Sequence, residues 1–209
     1  RLMRVFLHAQ QRGLRLHPDT AQLIRQNLAL ADRAFLGDEH VRQTFLQILS
    51  QRGSVGATLR AMDEVGLLGK YVPEFGRLTC LVQHEFFHLY AADEHTLKCL
   101  EELDRIWAAP GPPRDKYRDV YQTVELPSLL HLALLLHDAG KAGSTGNHAT
   151  ASAQLAQRAA RRLALDGAAT HTLCLLVERH LAMAQISQRH DLDDPSVIER
   201  VARLVQTPQ

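Results

Sequence analysis

The stretch Leu134–His148, LLLHDAGKAGSTGNH, begins as an apolar run. It then turns abruptly into His137, Asp138, a small-residue turn carrying Lys141, and a second imidazole at His148. Ionisable groups at the end of so apolar a segment must find partners, because burying them alone is costly. The leucines from Pro127 onward show no strand alternation and predict a buried helix running to Asp138. Leu, Ala, Gln, Arg and Glu prevail throughout the chain, β-branched runs are absent and no strand is convincing, so the fold class is all-α.

Further helices are expected from a segment ending near Gly13, from Pro18 to about Leu30, Asp38 to Ser50, and Ser54 to Val65 closed by Gly66. GLLGKYVPEFG then makes a corner punctuated by Gly and Pro. A second bundle follows, with helices at Asp93 to Trp107, Pro127 to Asp138, His148 to Leu165, Ala168 to about Ala184, and Pro195 to Val205. The intervening AAPGPPRDKYRDVYQTVELP reads as a surface loop. The organisation expected is a helical lead-in over residues 1–76 and a helical bundle domain over 77–209.

At 209 residues and 45% hydrophobic, the chain can bury one sizeable core. A net charge of +1 without a block of like charges gives no sign of a nucleic-acid partner or a membrane-surface stripe. Three cysteines without CxxC pairing fit a reducing compartment, so a cytoplasmic location is expected. The apolar run around Leu129–Leu136 is too short to span a membrane and is already broken by His131. Because the chain opens at Arg1 inside a helical pattern, it reads as a piece of something longer.

Twelve histidines are the unusual component. His95 shares a helical face with Cys99, Leu103 and Ile106, and His180 follows Leu173, Leu176 and Val177, so both are expected to look inward. His148 opens its helix on the side of Ser152, Leu155 and Ala159. Four imidazoles and the Asp138 carboxylate on inward faces point to a shared metal. Imidazole with carboxylate suits Mn, Fe, Zn, Co or Ni, and the lack of nearby Cys argues against a closed structural zinc site. Lys141 is placed to stabilise negative charge on a substrate, or else to neutralise Asp138. His88, seven residues before His95, could reach a substrate bound there or serve as a core or capping residue. His8, His17, His40, His84, His131 and His171 are read as structural or exposed.

The order His95, His137–Asp138 with Gly140 and Lys141, then a late Asp, resembles the HD superfamily of metal-dependent phosphohydrolases, which are all-helical. RLTCLVQHEFFHLYAADEHTLKCL, LLHDAGKAGSTGNHA and LLVERHLAMAQISQRHDLDDPSVI are similar to the central HD region of the bifunctional PII uridylyltransferases/uridylyl-removing enzymes, as is LHPDTAQLI…GLLGKYVPEFGRL upstream. That resemblance implies hydrolytic removal of UMP from a tyrosine of a PII-type nitrogen signalling protein. It also implies a nucleotidyltransferase domain and ACT domains in the longer chain, and one or two divalent ions, Mg among them. It implies a late ligand too. Asp194 precedes Pro195 as a helix N-cap, so Asp191 is the freer carboxylate, with Asp194 in reserve. His148 and His180 either complete a second ion's site with a bridging Asp138 or contact substrate phosphate. Hydrolysis of free nucleotides, or a non-catalytic helical signalling module, are the other classes the residues allow.

Overall fold

The computed structural model describes residues 2–81, 91–108, 111–143, 147–191 and 193–205, and everything below refers to these. They form helices and turns without a strand, as the composition predicts. The lead-in comprises α1 (Leu2–Gln11), α2 (Pro18–Gln26), α3 (Arg33–Gly37), α4 (Glu39–Ser50), α5 (Val55–Glu64), α6 (Leu67–Tyr71) and α7 (Pro73–Gly76). Then come α8 (Ala92–Ala108), α9 (Arg114–Gln122), α10 (Pro127–Leu136), α11 (His148–Arg162), α12 (Gly167–Glu178), α13 (Ala182–Arg189) and α14 (Pro195–Val205). None of the described helices is long and apolar enough to cross a membrane.

Local sequence explains most of the boundaries. Asp32 and Asp38 accept the Phe35 and Val41 amides, Pro18 fills the first position of α2, and Asp166 caps α12 by accepting the Ala169 amide. α10 is apolar almost all round, with Leu132, Leu135 and Leu136 inaccessible to solvent, and so lies inside the bundle among α4, α8, α11 and α12. Buried residues from Met3 to Val177, on both sides of residue 76, join one apolar cluster.

Polar contacts fasten the lead-in to the following bundle. Ser54 makes no side-chain cap to α5. Instead the Asp104 carboxylate of α8 accepts from the amides of Val55, Gly56 and Ala57 at 2.9, 2.7 and 3.3 Å. Gly56 permits the approach, since a Cβ there would stand 2.5 Å from the Glu101 amide nitrogen. Burial pushes the Asp104 pKa up to about 6, although the three amides act to lower it. Glu74 and Arg162 form a two-pronged pair at 2.7 and 2.8 Å, and Arg60 reaches both Glu94 and Glu101.

The structure departs from the sequence expectations in several places. The helix expected from Pro18 to about Leu30 ends at Gln26, and α3 lies where none is expected. The segment read as a surface loop contains α9, because Tyr121 anchors it: the ring is buried and the hydroxyl lies 3.0 Å from His131 Nε2. His131 is correspondingly buried, with Nδ1 donating to the Pro127 carbonyl at 2.7 Å. The expected corner holds the short helices α6 and α7. The helix before the His-Asp pair ends at Leu136, and the one expected over Ala168–Ala184 divides into α12 and α13 around a turn at Arg179–Leu181. At these last two breaks a histidine ring takes up a helical carbonyl: His137 that of Leu134 and His180 that of Val177, each at 2.7 Å.

Two outcomes follow for stability. Replacing Asp104 with Ala strips the α5 amides of their acceptor and is expected to cost about 2–4 kcal/mol in urea unfolding. Burial pushes the His131 pKa down to about 4, below its unfolded value, so its contribution is fully present above about pH 6.5 and is lost as pH falls toward 4. Asp104 acts in the opposite sense, its contribution being present at low pH and lost as pH rises through 6. The informative quantity is therefore the difference between native protein and the His131→Leu/Tyr121→Phe variant. That difference should shift by about 3 kcal/mol against the native protein between pH 6.5 and 4, and a constant difference would show that His131 is not held neutral.

Candidate metal centre

Where α10 ends, His137 keeps helical dihedrals and Asp138 leaves them at φ −106°, ψ 5°, so the chain turns into a short 3₁₀ segment, Ala139–Ala142. The Gly140 amide donates to the Ser152 hydroxyl at 2.9 Å, and a Cβ on Gly140 would lie 2.4 Å from the His148 carbonyl oxygen. Only glycine lets this turn press against the first turn of α11, and that contact brings His148 to the carboxylate. Asn147 caps α11 by accepting the Ala149 amide.

Asp138 occupies the middle. Its Oδ2 lies 2.9 Å from Lys141 Nζ, 3.2 Å from His137 Nε2 and 3.9 Å from His95 Nε2. On the other side Oδ1 is 3.9 Å from His148 Nε2 and 3.8 Å from His180 Nε2. The rings adjoin in sequence: His95 to His137 at 5.5 Å between centroids, His137 to His180 at 5.2 Å, and His180 to His148 at 5.7 Å. Five residues, from α8, the turn after α10, the start of α11 and the turn after α12, thus converge on one carboxylate.

The electrostatics suit a cation. Burial alone would raise the Asp138 pKa, but hydrogen bonding and charge from His137 and Lys141 outweigh it and hold the carboxylate well below its usual range. Burial, together with the nearby His137, lowers the pKa of His180 and favours its neutral form. Nδ1 of His137 and of His180 each lies 2.7 Å from a backbone carbonyl, which orients both rings with Nε2 toward Asp138. His95, His137 and Asp138 form one group that could hold a metal ion, and Asp138, His148 and His180 form another. Imidazole nitrogens around a shared buried carboxylate are a donor set for divalent transition ions, so the residues present fit such a group.

Most of the predicted residues meet here, with two differences. His95, expected to look inward, sits at the rim with its side chain 47% exposed. Asp191, expected as the late ligand, is exposed after α13 and belongs to neither group; its carboxylate accepts the Asp193 amide at 3.0 Å. Asp194 is engaged as expected, accepting the Ser196 amide at 2.8 Å. His84 and His88 lie outside the described residues. His8, His17, His40 and His171 are exposed. The sequence reading missed the role of Ser152, although its position one turn after His148 was a usable signal. Cys99, expected on the face of His95, has its Sγ 3.7 Å from His95 Nε2, so the expectation of no Cys near the cluster does not hold.

Comparison with known proteins supplies the family. Residues 1–71 match the family described as uridylyltransferase GlnD third domain, and residues 92–206 match the HD domain. Among curated relatives, the bifunctional uridylyltransferase/uridylyl-removing enzyme of Phenylobacterium zucineum is 37% identical over 100% of this chain and 22% of its own length. Those of Methylococcus capsulatus and Azospirillum brasilense are 37% and 34% identical over 98% and 100% of this chain, and 24% and 22% of their own lengths. The chain thus spans less than a quarter of these relatives. With the HD match covering more than half of the chain and the His137–Asp138 pair at its centre, the chain belongs to the HD domain family.

Proposed function

We propose that this chain is a metal-dependent phosphodiester hydrolase module that removes UMP from a uridylylated tyrosine of a PII-type signalling protein, within a longer chain carrying nucleotidyltransferase and ACT domains. One observation carries the hydrolytic reading: a buried Asp138 carboxylate between two histidine pairs, with the Lys141 ammonium against it. The substrate follows from the relatives' uridylyl-removing activity and from the resemblance of the flanking sequence.

In this proposal His95, His137 and Asp138 hold one divalent ion, and Asp138, His148 and His180 a second, with Mn, Mg, Fe, Zn, Co and Ni all compatible with the donors. Such ions, when bound, supply Lewis acidity toward phosphorus and water of lowered pKa. The backbone carbonyls of Leu134 and Val177 hold the rings of His137 and His180 with Nε2 toward Asp138, so these rings need not rotate to bind. Asp138 stays ionised at neutral pH because of its neighbours. Lys141, whose Nζ lies 2.9 Å from Asp138 Oδ2, meets the non-bridging phosphoryl oxygens as charge grows on them. Hydrolysis joins a water oxygen to phosphorus and breaks the phosphorus–tyrosyl oxygen bond. The departing phenolate has a conjugate acid of pKa about 10 and so needs less proton donation than an alkoxide. Asp191 takes no part in this scheme.

Incubation with uridylylated PII and Mn or Mg should release UMP and unmodified PII. Turnover of free nucleotides with no UMP from the modified protein would replace this substrate with a small-molecule one. Lys141→Ala should lower turnover by about 10² to 10³ with metal content unchanged. Metal and activity lost together would make Lys141 a structural partner of Asp138.

A further inference from the structure

A cavity of about 290 Å³ lies among α12, α13 and α14, and His180 lines both this cavity and the Asp138 cluster. Its walls are the side chains of Leu175, Leu176, Ile186, Val201 and Leu204. Arg179, His171 and Thr172 supply polar atoms, and no carboxylate or side-chain amide is among the lining residues. Met183 lines the cavity while remaining 56% exposed, which leaves an adaptable thioether at its edge.

Size and lining together select an occupant. The volume sits at the lower end of small-ligand pockets, about 300–1,000 Å³, and suits a single ring better than a whole nucleotide. Arg179, His171 and Thr172 can meet part of a uracil ring's two carbonyls and N–H, but its remaining polar atoms would face aliphatic side chains and lose their hydrogen bonds, whereas an aryl ring needs none of them. Of the parts of a uridylylated tyrosine, the ribose is rich in hydroxyls and the phosphoryl group belongs with the cationic cluster. Only the tyrosyl ring is apolar enough for these walls.

We infer that the cavity seats the aromatic ring of the leaving group, with the phosphoryl group reaching past His180 to Asp138. The inference rests on the hydrolytic reading of the Asp138 site and assigns α12 to α14 the recognition of an aryl ester over an alkyl one. It also gives a role to α14, whose Val197, Val201 and Leu204 form an apolar stripe.

The experiment is calorimetric titration of the full chain, in Mg, with phenylphosphonate and methylphosphonate, which share a phosphoryl head and differ in the ring. The native protein should bind the phenyl compound at least about tenfold more tightly. Ala182→Phe, which fills the cavity, should abolish that preference and leave methylphosphonate binding intact. Met183→Ala adds no bulk and should reduce the preference several-fold, so a failure of the first variant to fold does not end the test. Equal affinity of the folded native protein for both compounds, or a preference surviving in both variants, overturns the inference. An aryl preference without release of UMP from uridylylated PII upholds the cavity and overturns the protein substrate.

Discussion

The site depends on keeping one carboxylate ionised where water scarcely reaches it. Asp138 is 3% exposed, and a lone anion there would protonate or unfold its surroundings. The chain offsets that cost with an ammonium at 2.9 Å and imidazoles on both oxygens. The five partners come from four stretches of backbone, so the constellation exists only when α8, α10, α11 and α12 are packed together. Cation binding and folding are in this sense one problem. The cluster that satisfies Asp138 without a metal is the cluster that would coordinate one.

Packing supplies the precision. α10 is held from all sides, and Gly140 lets its terminal turn lie backbone to backbone on α11. Away from the site, Asp104 caps α5 across a separation of 49 residues and Arg162 meets Glu74 across 88, so the lead-in is tied to the two helices that bear His95 and His148. The lead-in therefore acts as a buttress, and its loss should disturb the ligands through α8 and α11 even though it contributes none of them.

Local patterns made part of this legible in the sequence. The His137–Asp138 pair stood out because an apolar helix precedes it and small residues follow. Helical phase placed His148 and His180 on the correct faces. The same reasoning missed α9: its RDKYRDVYQ segment is highly polar and flanked by prolines, and the single buried Tyr121 that anchors it bonds to a histidine on another helix. Nor could phase show that His180 ends α12, since the ring's bond to the Val177 carbonyl is a choice of rotamer. Asp191 is picked out in the sequence by the engagement of Asp194 as a cap and by the resemblance of the surrounding stretch to the family, and neither carries information about distance. The trans cap by Asp104 leaves no local signature at all.

Metal content tests the central claim, that Asp138 serves two histidine pairs at once, most directly. Protein loaded with Mn, Co or Zn and freed of excess ion should carry about two equivalents, falling to about one in both His95→Ala and His148→Ala and to near none in Asp138→Ala. About one equivalent in the native protein, unchanged by His148→Ala, would contradict it and leave His148 and His180 as contacts for phosphate.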